Sequence, residues 1–386
     1  MQPAKVFVSA GESSGDMYAA ALIEALQKDW SGVDWFGCAG PRMQLAGVRT
    51  VVDARSLSVV GLVEVLVHLP RIYGEFRKLV RCIRRERPDF VILTDSPDFH
   101  LRLAKKVHAM GIPVIYLVAP QAWAWRQGRL KQMRLTIKRL LCLFPFEEKF
   151  YRDRGVAADY IGHPLAQTIR AKLGRAEFFA KHGISTGQPL IALCPGSRRG
   201  EIGRHLPPLI DAVERIRREI GATFVLAAPL GFREKSGDAF FRERISGSTI
   251  QLIEGETWDV LSHANLALTA SGTVTMEAAL LGTPMITYYR VAPVSWLLGC
   301  FLVRVPFYSM VNLIAGKRLA PELMQNEMTG ERLARETVRL LKDATAREAM
   351  REGLKEVRRK LSVAGDPMER AAGIVREYFD EYTRQT

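Results

Sequence analysis

The chain has 386 residues, 48% of them apolar and 25% charged, which excludes a disordered polymer and a single small core. Two domains of roughly 150–200 residues are the expectation. Lysine and arginine outnumber aspartate and glutamate by 55 to 41, and the formal charge of +14 favours anionic partners: nucleic acid, acidic lipid headgroups or phosphorylated substrates.

In chain order, Lys5–Ala10 is a β-rich run into the turn Gly11-Glu12-Ser13-Ser14-Gly15-Asp16, and Met17–Gln27 has helical spacing. Trp35–Cys38 reads as a strand, Phe76–Arg85 as a basic amphipathic helix and Phe90–Thr94 as a buried strand. Leu101–Met110 is a helix, Val114–Val118 a strand, Arg126–Ile137 a basic helix, Leu140–Leu143 a strand and Glu147–Arg154 a helix. The pattern pauses at Gly162-His163-Pro164 and restarts. Strands are predicted at Leu190–Cys194, Thr223–Ala227, Ile250–Ile253, Leu266–Thr269 and Met285–Thr287, with helices near 205–219, 230–245, 257–262, 272–281 and 331–342. A charged helical stretch, Ala346–Tyr382, closes the chain. Such alternation implies parallel sheets covered by helices on both faces. The second half resembles a loose copy of the first, so two doubly wound domains are expected, with ligands at the carboxyl ends of the strands and a cleft between them.

Two turns in the second half suit a diphosphate. Leu190–Cys194 runs into Pro195-Gly196-Ser197-Arg198, and Leu266–Thr269 into Ala270-Ser271-Gly272-Thr273, which opens a helix. Helix starts present N–H groups with partial positive charge, and Arg198 adds a full one. The plain reading is two tight turns, the second an N-cap. Glu277 lies one helical turn beyond Thr273, where a carboxylate suits vicinal ribose hydroxyls. In the first half, Thr94-Asp95-Ser96-Pro97-Asp98-Phe99 follows a buried strand, making Asp95 a candidate general base. Asp98 is the alternative, and an Asx turn into a proline-started helix is the structural reading. The turn at 11–16 lacks the Gly-x-Gly-x-x-Gly and Lys-Ser/Thr signatures of nucleotide loops. Trp123 and Trp125 stand on one loop, as an acyl or sugar face or as packing over the core edge.

The apolar run Val59–Pro70, followed by Arg71, Arg77, Lys78, Arg81, Arg84, Arg85 and Arg87, is either a buried helix beside a solvated one or a surface suited to an anionic membrane. The most apolar run, Val294–Val303, has ten residues, half the ~20 needed to span a bilayer. No signal peptide is expected from Val6–Ala10. The five cysteines (38, 82, 142, 194 and 300) have neither disulfide-framework nor metal-ligand spacing, which predicts a reducing, cytoplasmic setting and no metal site. A nucleic-acid-binding protein would interleave aromatics with arginine on one face, and no such stripe is present.

Together the segments Ala10–Asp16, Ala39–Met43, Gly61–Leu66, Asp95–Phe99, Pro120-Gln121-Ala122-Trp123-Ala124-Trp125-Arg126, Phe144–Glu147, Ile161–His163, Pro195–Arg198, Ala270–Thr273 and Asn312–Gly316 resemble the lipid-A-disaccharide synthase family of Gram-negative outer-membrane biogenesis. Their order and spacing cover nearly the whole chain. The resemblance implies an α/β GT-B fold of two Rossmann-like domains: an acceptor-binding one over 1–165 with 363–386 packed back on it, and a UDP-sugar-binding one over 166–362. It implies inverting transfer of 2,3-diacylglucosamine from UDP to the 6-hydroxyl of 2,3-diacylglucosamine 1-phosphate (lipid X), giving a β(1→6) link. Asp95 would then be the base, with Asp98 beside it. Gly196, Ser197, Arg198, Ser271, Gly272 and Thr273 would hold the diphosphate, Glu277 the ribose, and Asn312 would line the donor site. Glu12, Ser14, Trp123 and Trp125 join them as substrate-binding candidates. No metal and no cofactor are implied, and no nucleic-acid partner. A homodimer with exchanged C-terminal portions and peripheral association with the inner membrane are. Another UDP-sugar enzyme, a polyprenyl-acceptor transferase or an epimerase, is the rival from the same fold.

Overall fold

The computed structural model describes residues 3–57, 62–196, 199–232, 249–292, 296, 303 and 305–385. The chain packs as two compact units: Met1–Pro164 with Val363–Thr386, and Leu165–Ser362.

The first unit holds a seven-stranded parallel sheet: β1 (Lys5–Ala10), β2 (Asp34–Ala39), β3 (Arg49–Asp53), β4 (Phe90–Thr94), β5 (Val114–Leu117), β6 (Arg139–Cys142) and β7 (Ala158–Tyr160), in the order β3-β2-β1-β4-β5-β6-β7. Its central strands are apolar on both sides, as parallel strands between two helical layers must be; β4 is buried at every residue. The order reverses between β1 and β4, which pair in register from Val6↔Phe90 to Ala10↔Thr94. The turns after these two strands therefore leave the sheet side by side. The C-terminal helix Pro367–Gln385 closes this core. Phe379 packs edge-on against Trp30 and beside Phe90 at 5.6 and 5.7 Å, and Ala371, Ala372 and Val375 are fully buried. Each large side chain so buried contributes about 1.5–3 kcal/mol.

The second unit repeats the plan with six parallel strands, β8 (Leu190–Cys194), β9 (Thr223–Ala228), β10 (Ile250–Glu254), β11 (Leu266–Ala270), β12 (Met285–Tyr289) and β13 (Glu322–Met324), in the order β10-β9-β8-β11-β12-β13. Here the reversal falls between β8 and β11, so the turns at 195–196 and 271–272 lie together.

Three strands were not expected: β3, β7 and β13. All are edge strands of three to five residues, and β3 alternates little because four of its five residues are at least partly exposed. The basic helix is longer than expected, running Leu62–Glu86 straight through Pro70, where a proline would ordinarily mark a break. The closing helical stretch is two helices, Ala344–Leu361 and Pro367–Gln385. The expected helix near 230–245 falls outside the described residues beyond Phe232, as do 59–61 of the apolar run and all of 294–303 except Trp296 and Val303.

Candidate active site

In the first unit the site is built on the β4 turn. Asp95 and Ser96 both adopt left-handed backbone conformations, with φ of +55° and +37°. Two consecutive non-glycine residues there are strained, by about 1–3 kcal/mol each. Two buried donors hold the strain in place. The Tyr116 hydroxyl and the His100 Nδ1–H (3.0 Å) both donate to the Asp95 carbonyl. Burial lowers the His100 pKa to about 4, so the ring is neutral; with its proton on Nδ1, Nε2 accepts from the Ser9 hydroxyl at 2.7 Å.

The Asp95 side chain points at the β1 turn. Oδ1 accepts from Gly11 N–H at 2.9 Å and Oδ2 from Glu12 N–H at 3.0 Å. Glu12 is the N-cap of the helix Ser13–Gln27 but makes no side-chain cap. The Glu12 N–H is itself taken by a carboxylate from 83 residues away, which the positive end of the helix favours. The turn at 11–16 is thus a seat for Asp95. Gly15 shows how close the fit is: a Cβ there would lie 1.6 Å from Asp95 Oδ2. Burial raises the carboxyl pKa from the ordinary 3.8 to about 7; the donors from Gly11, Ser96 and Glu12 oppose it without overcoming it. A group so poised is suited to taking a proton near neutrality. Glu12 and Ser14 are exposed on the same turn.

Asp98 sits in the first turn of the helix Pro97–His108 and is exposed. One of its oxygens accepts from Arg126 Nη1 at 2.6 Å and also from Arg129 Nη2. Trp125 lies under both guanidiniums, at 4.4 and 5.3 Å from ring centroid to Cζ. Trp123 is buried. Its indole N–H donates to Glu147 at 3.0 Å, and its ring meets Phe146 edge-on. Of the two readings for this loop, Trp123 therefore takes the packing one. Glu147 is itself buried, which pushes its pKa to about 8.

In the second unit a cavity of about 630 Å³ opens at the carboxyl ends of the strands. Gly196, Ser271, Gly272, Thr273 and Glu277 line it. Gly196 has φ +107°, a conformation that only glycine adopts without strain. No side chain caps the helix Thr273–Leu280, so its first amides open onto the cavity that Gly272, Thr273 and Val274 line. The half-buried Glu277 carboxyl is raised by desolvation, and the Trp258 indole N–H that donates to it opposes the rise. Trp258 also lines the cavity, as do Glu201 and Tyr289, whose hydroxyl donates to Glu201 at 2.9 Å. None of these three was picked out in the sequence; the available signal was their place at or just past the end of a strand or turn. Ser197 and Arg198 lie outside the described residues. Asn312 is fully buried, and its amide is taken up by its own loop. Nδ2 donates to the Ala320 carbonyl and Glu322, while Oδ1 accepts from Leu319 and Ala320 N–H. It braces the loop and is not among the residues that line the cavity. Among the described residues, no three His, Cys, Asp or Glu side chains converge to hold a metal.

The family model described as lipid-A-disaccharide synthetase matches residues 6–372. A lipid-A-disaccharide synthase of Solibacter usitatus is 57% identical over 376 residues, covering 97% of this chain and 98% of its own. Among solved structures, the glycotransferase of kitacinnamycin superposes with a TM-score of 0.64 at 17% identity, covering 97% of this chain and 99% of that one. UDP-GlcNAc 2-epimerase from Neisseria meningitidis, bound to UDP-GlcNAc, does so at 0.61 and 13%, covering 98% and 100%. The likeness to both kinds of enzyme establishes the GT-B fold and does not separate transfer from epimerisation. The sequence relatives do.

Proposed function

The chain belongs to the lipid-A-disaccharide synthetase family and is a glycosyltransferase that forms the lipid A disaccharide, and on that premise we propose how its residues divide the work. The donor is a UDP-sugar, read here as UDP-2,3-diacylglucosamine, and the acceptor is 2,3-diacylglucosamine 1-phosphate. The second unit takes the donor. Amides at the start of Thr273–Leu280, the backbone at Gly196 and the Ser197 and Arg198 side chains bind the diphosphate, and Glu277 accepts from the ribose hydroxyls. The first unit takes the acceptor.

Asp95 removes the proton of the acceptor 6-hydroxyl as its oxygen attacks the anomeric carbon. The bond from that carbon to the diphosphate breaks on the opposite face, which inverts the configuration and releases UDP. Helix-start amides and Arg198 stabilise the charge that develops on the leaving diphosphate. The observation that carries the reading is the desolvated Asp95 carboxylate, held at the reversal point of one sheet.

Thin-layer chromatography of the two substrates with the purified enzyme tests it. Tetraacyl disaccharide 1-phosphate and free UDP are expected, and an interconverted UDP-sugar from UDP-GlcNAc alone would replace the reading by the epimerase one. The same assay in EDTA should run at the same rate, because this chemistry assigns the leaving group to amides and a guanidinium; loss of turnover would refute that assignment. Glu277→Gln should raise the donor KM about tenfold, the worth of one charge-assisted hydrogen bond, with a smaller change in kcat. An unchanged donor KM would remove Glu277 from the ribose.

The helix Leu62–Glu86 exposes Leu69 and Tyr73 beside Arg71, Arg77, Lys78, Arg81, Arg84 and Arg85. Among the described residues no helix is long and apolar enough to cross a membrane. This surface supports peripheral contact with an anionic leaflet from the cytoplasmic side, where acylated substrates would be met. The family expectation of a homodimer goes with it, and light scattering reads it directly.

A further inference from the structure

Asp98, Arg126, Arg129 and Trp125 form a cluster that the mechanism above leaves unused. Two guanidiniums converge on a single carboxylate oxygen, so the group carries one positive charge in excess. Asp98 is 64% exposed, with solvent in reach of its carboxylate, whereas Arg129 is only 13% exposed. Both guanidinium carbons lie over the Trp125 ring, within cation–π reach of its face. Arg126 has φ +56°, a strained left-handed conformation that aims its side chain back at the helix Pro97–His108. A further bond ties the two segments, from Gln132 Nε2 to the Leu101 carbonyl.

The fork of arginine suits the oxygens of a phosphate at least as well as those of a carboxylate. The position is informative too. Asp98 lies three residues after Asp95, in the first turn of the helix that the strained turn opens, so the cluster stands at the same β4 end of the sheet as the proposed base.

We propose that Arg126 and Arg129 form the subsite for the phosphomonoester of the acceptor, with the Asp98 carboxylate occupying it until substrate arrives. The inference rests on the reading of the first unit as the acceptor side. A ring bound with its 1-phosphate on the two arginines brings its other end, the 6-hydroxyl, toward Asp95. The same chemistry would also recognise the phosphate of a lipid headgroup, and the test separates the two.

The test compares the full-length enzyme with Arg126→Ala/Arg129→Ala in uncharged detergent micelles. The acceptors are 2,3-diacylglucosamine with and without its 1-phosphate. The expected result is a KM for the phosphorylated acceptor about tenfold higher or more, an unchanged donor KM, and a preference for the phosphorylated acceptor reduced by the same factor. Undiminished preference overturns the proposal. So does an unchanged acceptor KM with weakened sedimentation on phosphatidylglycerol vesicles, which would assign the cluster to lipid headgroups. If the double variant fails to fold, Arg126→Lys and Arg129→Lys keep the charge without the fork, and each should raise the same KM severalfold; neither doing so overturns it. Calorimetric titration of the unaltered protein with glucosamine 1-phosphate reads the subsite without catalysis. Binding that vanishes with glucosamine supports the subsite even if no disaccharide forms, and absence of binding overturns it.

Discussion

Replacing Asp95 by asparagine is expected to lower kcat about a hundred- to ten-thousand-fold, the range a general base contributes, while the donor KM changes little. The amide keeps the shape of the carboxyl, but its oxygen can accept from only one of the Gly11 and Glu12 N–H groups and its NH2 faces the other, so Asp95→Asn removes the base together with one bond of its seat. Two pH trends go with it. A base must be ionised to act, so kcat/KM for the acceptor should fall on the acid side of about pH 7, not near 4. Stability runs the other way. The native carboxyl keeps its proton up to about pH 7 and the unfolded one only to about 3.8, so the native state binds more protons between those values and loses stability as pH rises through them. Asp95→Asn carries no such charge. Its melting temperature relative to the unaltered enzyme should therefore rise as the pH goes from about 4 to above 7. Near-normal turnover in the variant, or a melting difference that does not grow with pH, would remove Asp95 from its assigned role.

What the sequence disclosed, and what it withheld, follows from the range of each interaction. Phe90–Thr94, Leu190–Cys194 and Leu266–Ala270 are legible as strands because a parallel strand between two helical layers is apolar throughout. Edge strands such as Arg49–Asp53 are half in water and lose that signal. Asp95 could be singled out by its place after a strand. Its surroundings could not: the seat at Gly11 and Gly15 lies some 80 residues upstream, and its meaning appears only when β1 and β4 pair. The same holds for Asp98, whose partners stand 28 and 31 residues away, and for Trp258, which reaches Glu277 from a neighbouring helix. Asn312 illustrates a placement that the sequence did not disclose. A polar residue in a matching motif reads as a ligand-binding group, yet its buried amide is engaged by Leu319, Ala320 and Glu322. Burial of a polar side chain with all its partners local leaves no trace in composition or period.

Gly15→Ala is expected to lower turnover about a hundredfold with little cost in stability, a combination that separates the seat from the fold. Gly15 is buried in the first turn of the helix Ser13–Gln27 at ordinary helical dihedrals, where alanine is favoured over glycine by up to about 1 kcal/mol. The added methyl has one conflict. It would fall 1.6 Å from Asp95 Oδ2 and 2.5 Å from Cγ. A carboxylate is the movable end of its side chain, so relief comes by rotating Asp95 out of its seat rather than by shifting backbone. A displacement of about 1 Å at a reacting group costs on the order of a hundredfold in rate. Out of its seat the carboxylate is less desolvated, so its pKa should move back toward 3.8, and the acid limb of the residual activity should move to lower pH. General loosening of the domain would lower the melting temperature and leave that limb in place. A variant that melts normally, is slow, and retains activity further into acid locates the defect at one carboxylate. A variant as active as the unaltered enzyme shows that Asp95 does not work from this seat.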